Sequence, residues 1–61
     1  MPLVTIEAFE GRTIEQKRGL VKDITAAVVN NFKVDPKAVT IVIRELKKEN
    51  LASAGKLAAD C

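Results

Sequence analysis

The sequence predicts an α/β (α+β) protein in which two parallel strands are joined by one long helix. Two segments, residues 3–9 and 39–46, are rich in β-forming residues, and apolar residues recur at helical spacing between them. A strand, helix and strand within one sheet imply a right-handed crossover, which makes the two strands parallel. A chain of 61 residues is expected to form one domain, residues 1–61.

The first predicted strand covers residues 3–9 and ends before Gly11. Neither of its faces is plainly polar, which predicts that both are covered in the folded protein. Because side chains alternate along a strand, the faces consist of Val4, Ile6 and Ala8 on one side and Leu3, Thr5, Glu7 and Phe9 on the other.

The helix is predicted to begin at a capping box. Thr13 would cap an early backbone N–H, and the side chain of Gln16, three residues on, would bond back to Thr13. Asp35 followed by Pro36 rules out a continuous helix through that point and predicts a further short turn. The apolar stripe of this helix is predicted to contain Leu20, Val21, Ile24, Ala27, Val28 and Phe32, and Lys17, Arg18, Lys22, Asp23 and Asn30 are predicted to lie off it.

The second predicted strand, residues 39–46, begins with five β-branched residues, a pattern typical of strands buried on both faces. One helix covers only one face of a two-stranded sheet. We therefore expect the other face to pack on another subunit. The following segment, residues 50–57, is small and apolar with one glycine, and it predicts a short hairpin or arm that docks on a neighbouring chain.

Composition also favours self-association. A chain this short buries only about 60% of the surface that its unfolded form exposes, so it usually needs disulfides, a bound metal or partner chains to be stable. Cys61 is the only cysteine and histidine is absent, so neither an internal disulfide nor a metal site is expected. The remaining source of stability is contact with further copies of the chain.

Charge and hydropathy argue against nucleic acids and membranes as partners. The net charge is +2, with ten basic and eight acidic residues well mixed, which does not suggest a nucleic-acid-binding face. No stretch predicts a signal peptide or a membrane span, so a cytoplasmic location without membrane contact is expected.

Pro2 is the candidate catalytic residue. An initiator Met that precedes a small residue is usually removed, and Pro2 would then carry a free secondary amine. An α-amino group titrates at about 7.7–8.0 in model peptides, and desolvation or a nearby cation such as Arg12 would lower its pKa. Since the chain lacks histidine, this amine is the best candidate for a general base. The alternative is that Pro2 only starts the first strand.

Six features of the sequence are informative together: Met1-Pro2, Glu10-Gly11-Arg12-Thr13, Glu15-Gln16-Lys17, Glu45 at the end of the second strand, Leu51, and Gly55-Lys56-Leu57. Through these features the chain resembles the 4-oxalocrotonate tautomerase family over nearly its whole length. The resemblance implies a β-α-β protomer that assembles as dimers into a hexamer, and proton transfer by the N-terminal proline without a cofactor. Family members convert enols of 2-oxo acids, such as 2-hydroxymuconate, into conjugated keto forms.

Transferred residue by residue, the resemblance implies that Pro2 is the base and that Arg12 holds the far carboxylate of the substrate. Phe9, Thr40 and Leu51 are the other expected substrate-binding residues. Thr40 departs from the family pattern because the family has a second active-site arginine there, and Leu51 replaces an aromatic residue.

Arg44 shares a strand face with Thr40 but lies about 13 Å along the strand, too far to replace the missing arginine within one chain. Three hypotheses about function therefore remain open. The chain is a tautomerase, another enzyme of the superfamily with a hydratase-like or dehalogenase-like step, or a non-catalytic assembly module. Retention of Met1 would favour the module, because the nitrogen of Pro2 would then be an amide.

Overall fold

The computed structural model describes residues 1–61 and confirms the predicted order of elements. Strand β1 spans Leu3–Phe9, helix α1 spans Ile14–Phe32, and strand β2 spans Thr40–Leu46. The two strands are parallel neighbours, with Leu3 opposite Thr40 and Phe9 opposite Leu46. The structure therefore contains the predicted parallel sheet with a helical crossover.

Both ends of α1 are set by local signals. The N–H of Gln16 donates to Thr13 Oγ1 at 3.1 Å, and the N–H of Thr13 donates to Gln16 Oε1 at 2.9 Å, which confirms the capping box. Lys33 ends the helix in the left-handed conformation, with φ 57°. The predicted turn follows as a 3-10 helix, Pro36–Ala38, capped by Asp35.

The face that α1 turns towards the sheet differs in part from the predicted stripe. Its half-buried residues include Val21, Ile24 and Val28, as expected. Lys17 was predicted to lie off this face, and that prediction was wrong. It precedes Val21 by four residues, is half-buried, and reaches β2. The stripe residues that remain exposed are Leu20, Ala27 and Phe32.

After β2 the chain forms an arm, which confirms the predicted hairpin. Strands β3, Ala52–Ser53, and β4, Lys56–Leu57, are antiparallel, and 3-10 turns flank them at Lys48–Asn50 and Ala58–Asp60. Ala54 and Gly55 join these strands with φ 52° and 78°. Two consecutive positive φ angles are the signature of a type I′ turn, whose twist matches that of the strands.

One face of the β1–β2 sheet is not covered by the helix. Side chains on the helix side are half-buried as far as Ala8 on β1 and Ile43 on β2, whereas Leu3 and Val42 on the other side remain 64% and 37% exposed. We call this second side the open face. It consists of Leu3, Thr5, Glu7, Phe9, Thr40, Val42, Arg44 and Leu46.

The protomer has no buried core, because none of its residues is fully buried. Its radius of gyration is 14.9 Å, whereas a compact chain of this length has about 10.5 Å. Its accessible surface of 4916 Å² exceeds that of a typical folded monomer of this mass by about 1,000 Å². An isolated protomer therefore lacks the burial that normally stabilises a fold. The structure contains no helix that combines the length and apolar character needed to cross a bilayer.

Candidate active site

Pro2 lies immediately before β1 and is held by the backbone. Its carbonyl oxygen accepts a hydrogen bond from the N–H of Thr40 at 3.0 Å, which places Pro2 beside the first residue of β2. A proline suits the start of a strand, where no ladder hydrogen bond needs its missing N–H. Pro2 is half-buried, and Thr40 is exposed on the open face.

Arg12 lies beyond the opposite end of β1, in the turn that leads to α1. Gly11 forms this turn with φ 118°, a backbone conformation that residues other than glycine rarely adopt. The N–H of Glu10 donates to the carbonyl of Leu46 at 3.0 Å, so pairing with β2 continues to the edge of the turn. Because a seven-residue strand separates them, Pro2 and Arg12 are about 20 Å apart. One protomer does not bring them together.

Arg12 lines a cavity of about 240 Å³ between the N-terminal half of α1 and the sheet. We call it the Arg12 cavity. Its polar side is formed by Arg12, Gln16, Lys17 and Glu45, and its apolar side by Ile6, Ala8, Leu20 and Ile43.

Some polar side chains of the Arg12 cavity are already paired within the chain, and others are free. Lys17 Nζ donates to Glu45 Oε1 at 2.6 Å, and these side chains are 30% and 35% exposed. Gln16 uses its side-chain oxygen in the capping box, and its amide NH₂ donates none of the hydrogen bonds within the chain. Arg12 takes part in none of the ion pairs of the protomer. A free guanidinium next to a free amide donor is well suited to bind a carboxylate.

Sequence reasoning identified Arg12 but missed the other polar residues of its cavity. The signal for Lys17 was its spacing from Val21 and Ile24, four and seven residues on, which places it on the inner face of α1. Glu45 follows Ile43 by two residues, and that parity places both on the helix side of β2.

Two further residues that were predicted to bind substrate, Phe9 and Leu51, do not lie near Pro2 within the protomer. Phe9 is half-buried at the far end of β1, opposite Leu46. Leu51 is 43% exposed and lines a separate cavity of about 330 Å³ formed by arm residues. The structure thus pairs Pro2 with Thr40 at one end of the sheet and places Phe9 and Arg12 towards the other. No group of three His, Cys, Asp or Glu side chains is arranged to hold a metal ion.

These features define a small α/β protein with a proline at the start of its sheet and, towards the other end, a cavity that has Arg12 on its polar side. The chain belongs to the tautomerase family, since the family model for tautomerase enzymes matches residues 2–60. This match confirms the family resemblance inferred from the sequence.

Relatives cover the chain almost completely. It is 40% identical over 60 residues to a probable tautomerase of Halalkalibacterium halodurans, covering 98% of each chain. It is 42% identical to 2-hydroxymuconate tautomerase of Bacillus subtilis, over 98% of this chain and 97% of that one. A solved homologue of 4-oxalocrotonate tautomerase superposes with a TM-score of 0.92, at 40% identity and 98% coverage of both chains. A 4-oxalocrotonate tautomerase isozyme from Methylibium petroleiphilum gives 0.88 at 46% identity, covering 97% and 92%.

Proposed function

We propose that this protein is a tautomerase that converts enol forms of 2-oxo acids, such as 2-hydroxymuconate, into their conjugated keto forms. Pro2 acts as the general base once Met1 has been removed. The observation that supports this role best is the hydrogen bond from the N–H of Thr40 to the carbonyl oxygen of Pro2, which holds Pro2 at the end of the sheet where both strands begin. The similarity to 2-hydroxymuconate tautomerase of Bacillus subtilis supports the substrate class.

The proposed reaction moves one proton and consumes nothing. The uncharged nitrogen of Pro2 takes the proton from the enol hydroxyl, and the electron pair of that O–H bond becomes the new C=O bond. The π electrons shift along the conjugated chain to carbon, which takes the proton back from the Pro2 ammonium. An amine that titrates near neutral pH is suited to both transfers.

Arg12 binds the far carboxylate of the substrate in this proposal, and it does so from a different copy of the chain. Pro2 and Arg12 of one protomer are about 20 Å apart, much farther than the length of a six-carbon dicarboxylate. The open face and the absence of a core support such an assembly. We propose the hexamer, a trimer of dimers, as its form.

The substrate proposal is tested by ultraviolet assays of Met1-free protein with 2-hydroxymuconate and with phenylenolpyruvate, which lacks the second carboxylate. We expect ketonisation of both enols above the buffer rate, and faster turnover of the dicarboxylate. A folded oligomer that accelerates neither reaction would contradict the proposal and leave the assembly module and the other superfamily activities as the remaining hypotheses.

A further inference from the structure

We infer that Lys17 is a positioning residue that keeps Arg12 free for substrate by holding the carboxylate of Glu45. This inference rests on the proposed role of Arg12 in binding the substrate carboxylate. It assigns a role to an ion pair that joins α1 to β2 inside the same cavity.

The Arg12 cavity carries a net positive charge. Its lining has two cations, Arg12 and Lys17, and a single carboxylate, that of Glu45. Lys17 is paired with Glu45 at 2.6 Å, which leaves Arg12 with the surplus positive charge. A bound carboxylate would neutralise that surplus, so the wild-type charges match a ligand group of charge −1.

Glu45 and the substrate carboxylate compete for Arg12. A guanidinium fork pairs readily with a carboxylate, and Glu45 is the carboxylate that shares its cavity. Without the cation of Lys17, Glu45 would be available to Arg12 and would occupy the group that the substrate needs. The ion pair is also partly exposed, with 30% and 35% of the side chains accessible.

We expect the affinity for a dicarboxylate to follow the summed charge of Arg12, Lys17 and Glu45. Lys17→Met leaves Arg12 facing an unpaired Glu45 and should weaken dicarboxylate binding about tenfold. Glu45→Gln leaves both cations free and should strengthen binding several-fold. The double variant, Lys17→Met with Glu45→Gln, should return close to the wild-type affinity.

Calorimetry of the assembled, Met1-free protein with muconate measures this directly. Muconate has the six-carbon dienedioate chain but no 2-hydroxyl group, so it cannot tautomerise. Kinetics should show the Lys17→Met effect in KM rather than kcat, because Pro2 is untouched. Lys22→Met, an exposed lysine of α1 outside every ion pair, is the matched control for lost charge.

Two results would overturn the inference. In one, Lys17→Met binds muconate as tightly as the wild type. In the other, both single variants weaken binding and the double variant recovers nothing, which is the pattern of a merely structural ion pair. The Arg12→Ala variant distinguishes a failure of the role of Lys17 from a failure of the proposed role of Arg12. If that variant binds muconate normally, the role of Arg12 fails; if it binds weakly while Lys17→Met is unchanged, only the role of Lys17 fails.

Discussion

Arg12 is the residue whose contribution should depend most on the substrate. Arg12→Ala should raise KM for 2-hydroxymuconate about 10- to 100-fold, because a charge-assisted contact with the far carboxylate is lost. Phenylenolpyruvate lacks that carboxylate and should be affected much less. Steady-state kinetics on both enols measure the difference, and Arg18→Ala, an exposed arginine on α1, is the control. Equal losses on both enols would indicate a structural arginine.

Thr40 lies beside Pro2, where the resemblance implies an arginine in other family members. Negative charge grows on the 2-oxo oxygen as the proton leaves, so a cation there acts mainly in the transition state. Thr40→Arg should therefore raise kcat on 2-hydroxymuconate, by about tenfold or more. The gain should be smaller on enols without the second carboxylate.

The control for Thr40→Arg is Thr40→Val, which keeps the shape of the side chain but removes its hydroxyl. Sedimentation must first show that each variant assembles as the wild type does. Unchanged or lower turnover of Thr40→Arg on every enol, in an intact assembly, would mean that Thr40 does not mark the missing group.

At this scale, sequence reasoning found the residues with a chemical signature and missed those defined by packing. Pro2 and Arg12 could be proposed from their chemistry and their place in the chain. Lys17 was missed because its charge suggested a solvated position, although its spacing from Val21 and Ile24 places it on the inner face of α1. Its pairing with Glu45 depends on the distance between α1 and β2, which no local pattern contains.

At the scale of elements, Gly19 offers a test of what surrounds the helix. It lies inside α1, and a Cβ added there would meet nothing within 4 Å in the protomer. Gly19→Ala should therefore raise the free energy of unfolding by about 1 kcal/mol through helix propensity alone. Thermal and denaturant unfolding at fixed protein concentration measure the change. Destabilisation would mean that another chain packs closely against this position.

The elements themselves could be predicted because each has a local signal. The capping box of Thr13 and Gln16 marks the start of α1, and Asp35-Pro36 marks the break after it. The β-branched run predicted a strand at 39–46, and β2 begins one residue later. The exposure of Leu20 and Phe32 could not be predicted, since apolar periodicity does not show whether a surface meets its own chain or another.

At the scale of the whole molecule, the proposed active site needs more than one chain. Pro2→Ala replaces the secondary amine with a primary one, and Arg12→Ala removes the guanidinium; these two groups lie at opposite ends of one sheet. If each site takes Pro2 from one copy and Arg12 from another, mixing the two variants rebuilds intact sites. After subunits have exchanged, an equimolar mixture should recover up to about a quarter of wild-type activity on 2-hydroxymuconate.

The control for this complementation is each variant alone, taken through the same dissociation and reassembly. A mixture no more active than the mean of the two variants, in assemblies shown to have exchanged subunits, would contradict a site that takes Pro2 and Arg12 from different chains.

In the proposed reaction, the free amine of Pro2 moves the proton. The rate of 2-hydroxymuconate ketonisation tests this role in two forms of the protein, one that begins at Pro2 and one that keeps Met1, each verified by mass spectrometry. An amide nitrogen cannot act as a base, so the form that keeps Met1 should be slower by about 10²–10⁴-fold, with assembly unchanged. Equal rates for the two forms would contradict the claim.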